Sequence, residues 1–185
     1  KTLSATHIIG GSISYSFLGN NTYKIRLEVL RDCINGDTTA QFDDPASIGI
    51  FLANGILFME ELVPHNGSDT LSLAPTTVCL VSADVCVHKA IYETIVILPP
   101  IDGGYTIVYQ RCCRSQILVN ILDPLNTGMT FHTHLDPVDE NTSPVFNKDF
   151  PAEILVNTPF IYDGSAVDPD GDSLVYQLRT PIVGG

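Results

Sequence analysis

The chain has 185 residues and carries 21 Asp and Glu against 9 Lys and Arg, a formal net charge of −12. Hydrophobic residues make up 44% and charged ones only 16%, so the acidity is not that of a disordered acidic tail, and the length suffices for one sizeable core. A surface of this sign repels nucleic acid and anionic membranes and complements cations, and no apolar run reaches the roughly 18–20 residues of a membrane-spanning helix, so direct membrane insertion is not expected.

The apolar pattern has a period of two almost throughout. Tyr23, Ile25, Leu27 and Val29 alternate with Lys24, Arg26 and Glu28, which places one face of a strand on a core and the other in water. Asn35-Gly36 marks a turn. Ile48 to Ala53 and Ile56 to Leu62 flank Asn54-Gly55, a dipeptide that tolerates the positive φ angles of a type I′ hairpin. Asn66-Gly67 is read as a further turn. Ile91 to Leu98 ends at Pro99-Pro100, and Tyr105 to Arg111 starts after Asp102-Gly103-Gly104, so these two runs are expected to form a hairpin. No window of eleven residues keeps a helical apolar stripe free of Gly and Pro. The fold class expected is all-β, a β-sandwich.

Near residues 136–144 the alternation stops and acids and prolines gather. A first domain over residues 1–140 is expected, and residues 141–185, with two or three strands around an acidic turn, are expected either to begin a second β-module or to complete the first domain. Residues 136–172 carry nine of the 21 acids and one base, so most of the imbalance sits around this boundary.

Asp168-Pro169-Asp170-Gly171-Asp172 is the sharpest constellation. Carboxylates at i, i+2 and i+4 in a Gly-Pro turn repel one another unless a hard cation gathers them, and Ca²⁺ takes six to eight oxygens. Gly171 is the fourth residue of the turn and no glutamate stands at the twelfth, so the loop is not an EF-hand. Asp163, Asp139, Glu140 and Asn141 are candidate completing ligands. His132-Thr133-His134 places two imidazoles on one face of a strand without a third ligand in its segment.

Five cysteines in an acidic chain point to an oxidising compartment. Cys79 and Cys86 flank a short loop that they could close. Cys112 and Cys113, on opposite faces of a strand, are expected to reach different partners, one of them open to Cys33. No phosphate loop, G-x-S-x-G, H-E-x-x-H or G-x-G-x-x-G occurs, and no thiolate–histidine arrangement is legible, so no enzyme is expected.

Several stretches in chain order carry a resemblance: Ala5-Thr6-His7-Ile8-Ile9-Gly10-Gly11, Leu18-Gly19-Asn20-Asn21-Thr22-Tyr23, Leu30-Arg31-Asp32-Cys33-Ile34-Asn35-Gly36, Ile91-Tyr92-Glu93-Thr94, Tyr109-Gln110-Arg111-Cys112-Cys113-Arg114, and Asp168 to Tyr176. Over nearly its whole length the chain resembles the N-terminal region of the giant, repeat-rich, gliding-motility-associated (SprB-like) cell-surface adhesins of the Bacteroidetes. The resemblance implies an immunoglobulin- or cadherin-like β-sandwich, export by the type IX secretion system to the outer cell surface, and downstream repeats and the secretion and gliding machinery as partners. The chain opens without a basic, apolar, small-residue leader, as an exported chain does after its signal is removed. Residues 141–180 resemble the start of a cadherin-like module, in which calcium rigidifies the junction. Asp37-Thr38-Thr39 and Asp69-Thr70-Leu71 resemble Bacteroidetes O-glycosylation sites, which makes Thr38 and Thr70 candidates.

The function expected on these grounds is a non-catalytic structural and adhesive unit stiffened by calcium and disulfides. One alternative is a carbohydrate-binding module gripping surface polysaccharide, although the chain has no Trp to serve as a platform. Another is a filament or anchoring domain that accepts a strand at an open sheet edge.

Overall fold

The computed structural model describes residues 8–35, 40–71, 86–115, 118–147, 157 and 159–184. Eight strands carry the fold: β1 (Ile8–Gly19), β2 (Thr22–Asp32), β3 (Ala46–Leu52), β4 (Leu57–Val63), β5 (His65–Leu71), β6 (Val87–Ile97), β7 (Tyr105–Arg111) and β8 (Met129–Leu135). Two short strands, β9 (Val145–Phe146) and β10 (Ala166–Val167), follow. Among the described residues the only helical element is a 3₁₀ turn at Pro124–Asn126, and no helix is long and apolar enough to cross a membrane.

The strands form two four-stranded antiparallel sheets, ordered β1-β2-β6-β5 and β4-β3-β7-β8. This is the connectivity of an immunoglobulin-type sandwich: the first sheet corresponds to A-B-E-D, and the second to C-F-G with one strand added beside C. The all-β sandwich expected from the periodicity is thus the fold. The alternation in β2 is the reason, since Tyr23, Ile25, Leu27 and Val29 are all fully buried and meet Ile48, Ile50 and Ile107 of the facing sheet in one core.

Local turn chemistry sets the hairpins. Between β1 and β2, Asn20 and Asn21 both take left-handed φ angles, 51° and 57°, which matches the twist of the flanking strands. Between β3 and β4, Gly55 has φ 81°, its N–H donates to the Leu52 carbonyl at 2.8 Å, and the Asn54 side-chain oxygen accepts from the Ile56 amide at 3.0 Å.

Two local expectations are corrected. β6 and β7 are not a hairpin, because β6 pairs with β2 and β5 while β7 pairs with β3 and β8. The Leu98 side chain is fully buried, its amide donates to the Asn21 carbonyl at 2.8 Å, and the two prolines that follow have no N–H to continue a ladder. The chain therefore crosses to the other sheet, where the Tyr105 hydroxyl, at the start of β7, donates back to the Pro99 carbonyl at 2.9 Å. That is a tyrosine corner. Tyr105→Phe is expected to cost about 1 kcal/mol and to lower the melting midpoint by roughly 2–4 °C. Coincident melting curves for the two proteins would deny the corner a role. The second correction concerns Asn66-Gly67, which lies inside β5, where Gly67 (φ 95°) sits in a shift of register between His65 and Ser68. It is a bulge rather than a strand-ending turn.

Beyond residue 141 the chain returns to the sandwich edges. The Ser143 amide donates to the Tyr15 carbonyl at 2.9 Å, the Tyr15 amide donates to Ser143 Oγ at 2.9 Å, and the Phe17 amide donates to Thr142 Oγ1 at 3.1 Å. At the other sheet the Thr130 amide of edge strand β8 donates to the Ile182 carbonyl at 3.3 Å. β9 and β10 pair only with each other, Val145 opposite Val167 and Phe146 opposite Ala166. The strands expected over 145–180 are thus reduced, among the described residues, to two of two residues each.

Candidate functional site

The residues that could carry function gather at opposite ends of the sandwich. The first group lies where β8 ends, because Leu135 pairs with Tyr105 at the start of β7. Asp136 follows and closes a turn, accepting the Val138 amide on Oδ1 at 3.0 Å. Glu140 takes φ 48°, and the chain then runs along β1 through Thr142 and Ser143.

The pairing of β9 with β10 brings the acidic turn back to this segment, since Asp168 comes directly after β10. Asp168 Oδ1 accepts from the amides of Asp170 (2.9 Å) and Asp172 (3.2 Å), and Gly171, φ 87°, donates to the Asp168 carbonyl at 3.3 Å. Asp170 Oδ2 then accepts from the Thr142 amide at 2.7 Å. The acidic turn is therefore anchored on the residue next to Asn141. Asn141 Oδ1 is itself buried and meets no donor.

Two tyrosines of the core end face these acids. Burial, then Tyr23, Asp168, Asp170 and Asp136, push the Tyr15 hydroxyl above its ordinary range. Burial, then Glu140 and Asp136, do the same for Tyr23, whose hydroxyl is buried without a partner. Of the expected calcium ligands, Asp168, Asp170 and Asn141 are thus brought to one junction. Asp163 is engaged locally, accepting the Ser165 amide on Oδ1 at 3.1 Å. The carboxylates do not close into a trio: among the described residues, the only three His, Cys, Asp or Glu donors within 4.8 Å of one another are Cys33, Cys86 and His88. The reason is visible in Asp168, which turns an oxygen onto its own loop amides. Asp136 did not stand out in the sequence as a member of this group, because only the path of the chain past Tyr15 brings it there.

The other end holds the cysteines. Cys33 and Cys86 are bonded, joining the end of β2 to the start of β6 across a separation of 53 residues. This corrects the closure of a Cys79–Cys86 loop and any link from Cys33 to the vicinal pair; β2 and β6 are neighbours, and Asp32 stands opposite Val87 in register. Cys79 lies outside the described residues. Cys112 and Cys113 are bonded to each other, against the expectation of separate partners. The strand alternation behind that expectation does not reach them, since β7 ends at Arg111. With Cys33 and Cys86 tied as a disulfide, the Cys33–Cys86–His88 trio offers no thiolate.

His132 and His134 are both exposed on β8, opposite Val108 and Thr106 of β7. Thr70 is exposed on β5, and Thr38 lies outside the described residues. No protein-family model, curated protein or solved structure matches the chain.

Proposed function

We propose that the chain is a non-catalytic structural unit of a large exported cell-surface adhesin, and that calcium locks its sandwich to the acidic segment that follows. The observation carrying this reading is the buried Asn141 Oδ1 without a donor, next to the amide that holds Asp170. A buried carbonyl oxygen left unpaired is costly, and an oxygen-seeking cation satisfies it. The donor set fits: Asn141, Asp170 and Asp168 supply oxygen ligands, with Asp136 and Glu140 close by to balance charge. Bound calcium would supply positive charge to a cluster of like charges and fix the junction. Asp163 and Asp172 belong to the same acidic segment and would complete the shell.

The role that follows is mechanical. Cross-links and bound cations raise the cost of local opening, so that a surface filament transmits load. A strand-accepting role has a narrower footing in the outer edge of β4, where Leu57, Phe58 and Leu62 are exposed.

Calcium at about 100 times its dissociation constant is expected to stabilise the chain by roughly 2.7 kcal/mol, a rise of about 5–11 °C in melting midpoint. EDTA should remove that gain, and Asp170→Ala should abolish the calcium-dependent rise whatever its own calcium-free midpoint. A wild-type midpoint indifferent to both calcium and EDTA would sink the reading.

A further inference from the structure

Asn-Gly pairs form turns, and they are also chemically fragile, because a glycine nitrogen meets no side chain of its own residue when it attacks the carboxamide before it. Two such pairs, Asn54-Gly55 and Asn66-Gly67, lie wholly among the described residues. Their glycine amides have opposite surroundings. At Asn54-Gly55 both reacting groups are tied, since the Gly55 amide donates to the Leu52 carbonyl at 2.8 Å and the Asn54 side-chain oxygen accepts from the Ile56 amide at 3.0 Å. A carbonyl oxygen is too weak a base to take an amide proton.

At Asn66-Gly67 the Gly67 amide donates instead to His65 Nδ1, at 3.1 Å. That acceptor is a base, and accepting a hydrogen bond there requires the neutral imidazole with its proton on Nε2. The ring is fixed from two sides: Phe42 and Tyr92 meet it edge to face, their ring centres 6.2 Å and 5.9 Å away. The carboxamide is not enclosed. Asn66 is exposed, and neither it nor Gly67 has a partner in register on β6, because the ladder passes from His65 to Ser68. Nothing stands within 4 Å of the place a Cβ would take on Gly67, so the backbone has room to move there.

We propose that Asn66 is a self-modification site at which His65 acts as the general base. The Gly67 nitrogen attacks Asn66 Cγ and forms a C–N bond while its proton passes to His65 Nδ1. The imidazolium returns that proton to the carboxamide nitrogen, which departs as ammonia. Water then opens the five-membered imide at either of its carbonyls, which leaves aspartate or isoaspartate at position 66. Each product adds a negative charge to the β5 edge, and isoaspartate also lengthens the backbone by one carbon at the register shift. The site does not depend on calcium or on the acidic junction.

The test follows the peptides carrying positions 54 and 66 by mass spectrometry while the whole chain is incubated, once under native conditions and once in urea. In the folded chain Asn66 is expected to convert at least about tenfold faster than Asn54, short of the ~10²–10⁴ that a positioned enzyme base contributes because His65 is only half-buried. In urea the two rates should converge. His65→Phe keeps an aromatic ring between Phe42 and Tyr92 but supplies no base, so it should bring the folded rate at Asn66 down to that of Asn54. Equal rates at the two sites in the folded wild type, or an Asn66 rate unchanged by His65→Phe, would overturn the proposal. Should the variant not fold, the wild type decides alone: conversion of Asn66 that is faster in the folded chain than in urea upholds the base, and slower conversion in the folded chain refutes it.

Discussion

Replacing both Cys33 and Cys86 by serine is expected to lower the stability of the chain by about 4 kcal/mol. The bond closes a loop spanning 53 residues, and the loop-closure entropy it removes from the unfolded chain amounts to roughly 4 kcal/mol at that size, within the 2–5 kcal/mol typical of native bridges. For a domain of this length the melting midpoint should fall by about 8–16 °C. The geometry adds to the entropy argument: the Cys33 amide donates to the Cys86 carbonyl at 3.1 Å, so the bridge continues the β2–β6 ladder one step beyond its last pair. Calorimetry on the double variant and on the wild type checks this. A drop below about 1 kcal/mol would mean that the ladder holds these ends together without the bridge.

Alkaline unfolding is expected to begin near pH 10, well before the buried tyrosines of the intact fold ionise. Burial pushes the Tyr92 and Tyr109 hydroxyls far above the ordinary 10.0, and the Asp43 charge pushes both further, with a direct hydrogen bond in the case of Tyr109. Tyr92 donates to the Asp43 carbonyl oxygen at 2.8 Å and Tyr109 to its carboxylate. Above pH 10 the unfolded chain loses these protons while the folded chain keeps them. The stability contributed by the neutral hydroxyls is complete below that pH and is lost as pH climbs toward the raised folded values. Each group contributes a slope of about 1.4 kcal/mol per pH unit, so at pH 11.5 these two account for roughly 4 kcal/mol. Tyr15, Tyr23 and Tyr105 shift in the same direction and steepen the fall. Tyrosinate absorbance and circular dichroism followed together during a base titration provide the measurement. Tyrosines that all ionise near pH 10 with the sheet signal intact would contradict the buried arrangement.

The sequence was most legible where structure is local. The alternation through β2 and the turn at Asn54-Gly55 between β3 and β4 are short-range signals; the strand and the position of the turn hold in the fold, but Gly55 alone takes the positive φ that a type I′ turn asks of both residues. Legibility failed where sequence neighbours are not spatial neighbours. The strand end at Pro99-Pro100 followed by the Asp102-Gly103-Gly104 turn reads as a hairpin link, whereas the segment crosses between sheets, and the pairing of Cys33 with Cys86 depends on β2 and β6 being adjacent, which no spacing states. Of the acidic junction, Asn141, Asp168 and Asp170 could be singled out from residue type, but their neighbourhood with Tyr15 and Tyr23 rests on the returning edge of residues 142–143.

The return of the chain beyond residue 141 to β1 and β8 bears on how copies of the molecule could associate. β1 and β8 touch across the two sheets, so both attachments occupy the same flank of the sandwich, while the outer edges of β4 and β5 have no strand neighbour among the described residues. Growth of a ribbon by edge-to-edge pairing needs two available flanks on every molecule. With one sealed by its own chain, pairing through the other closes on a two-fold axis and stops at a dimer.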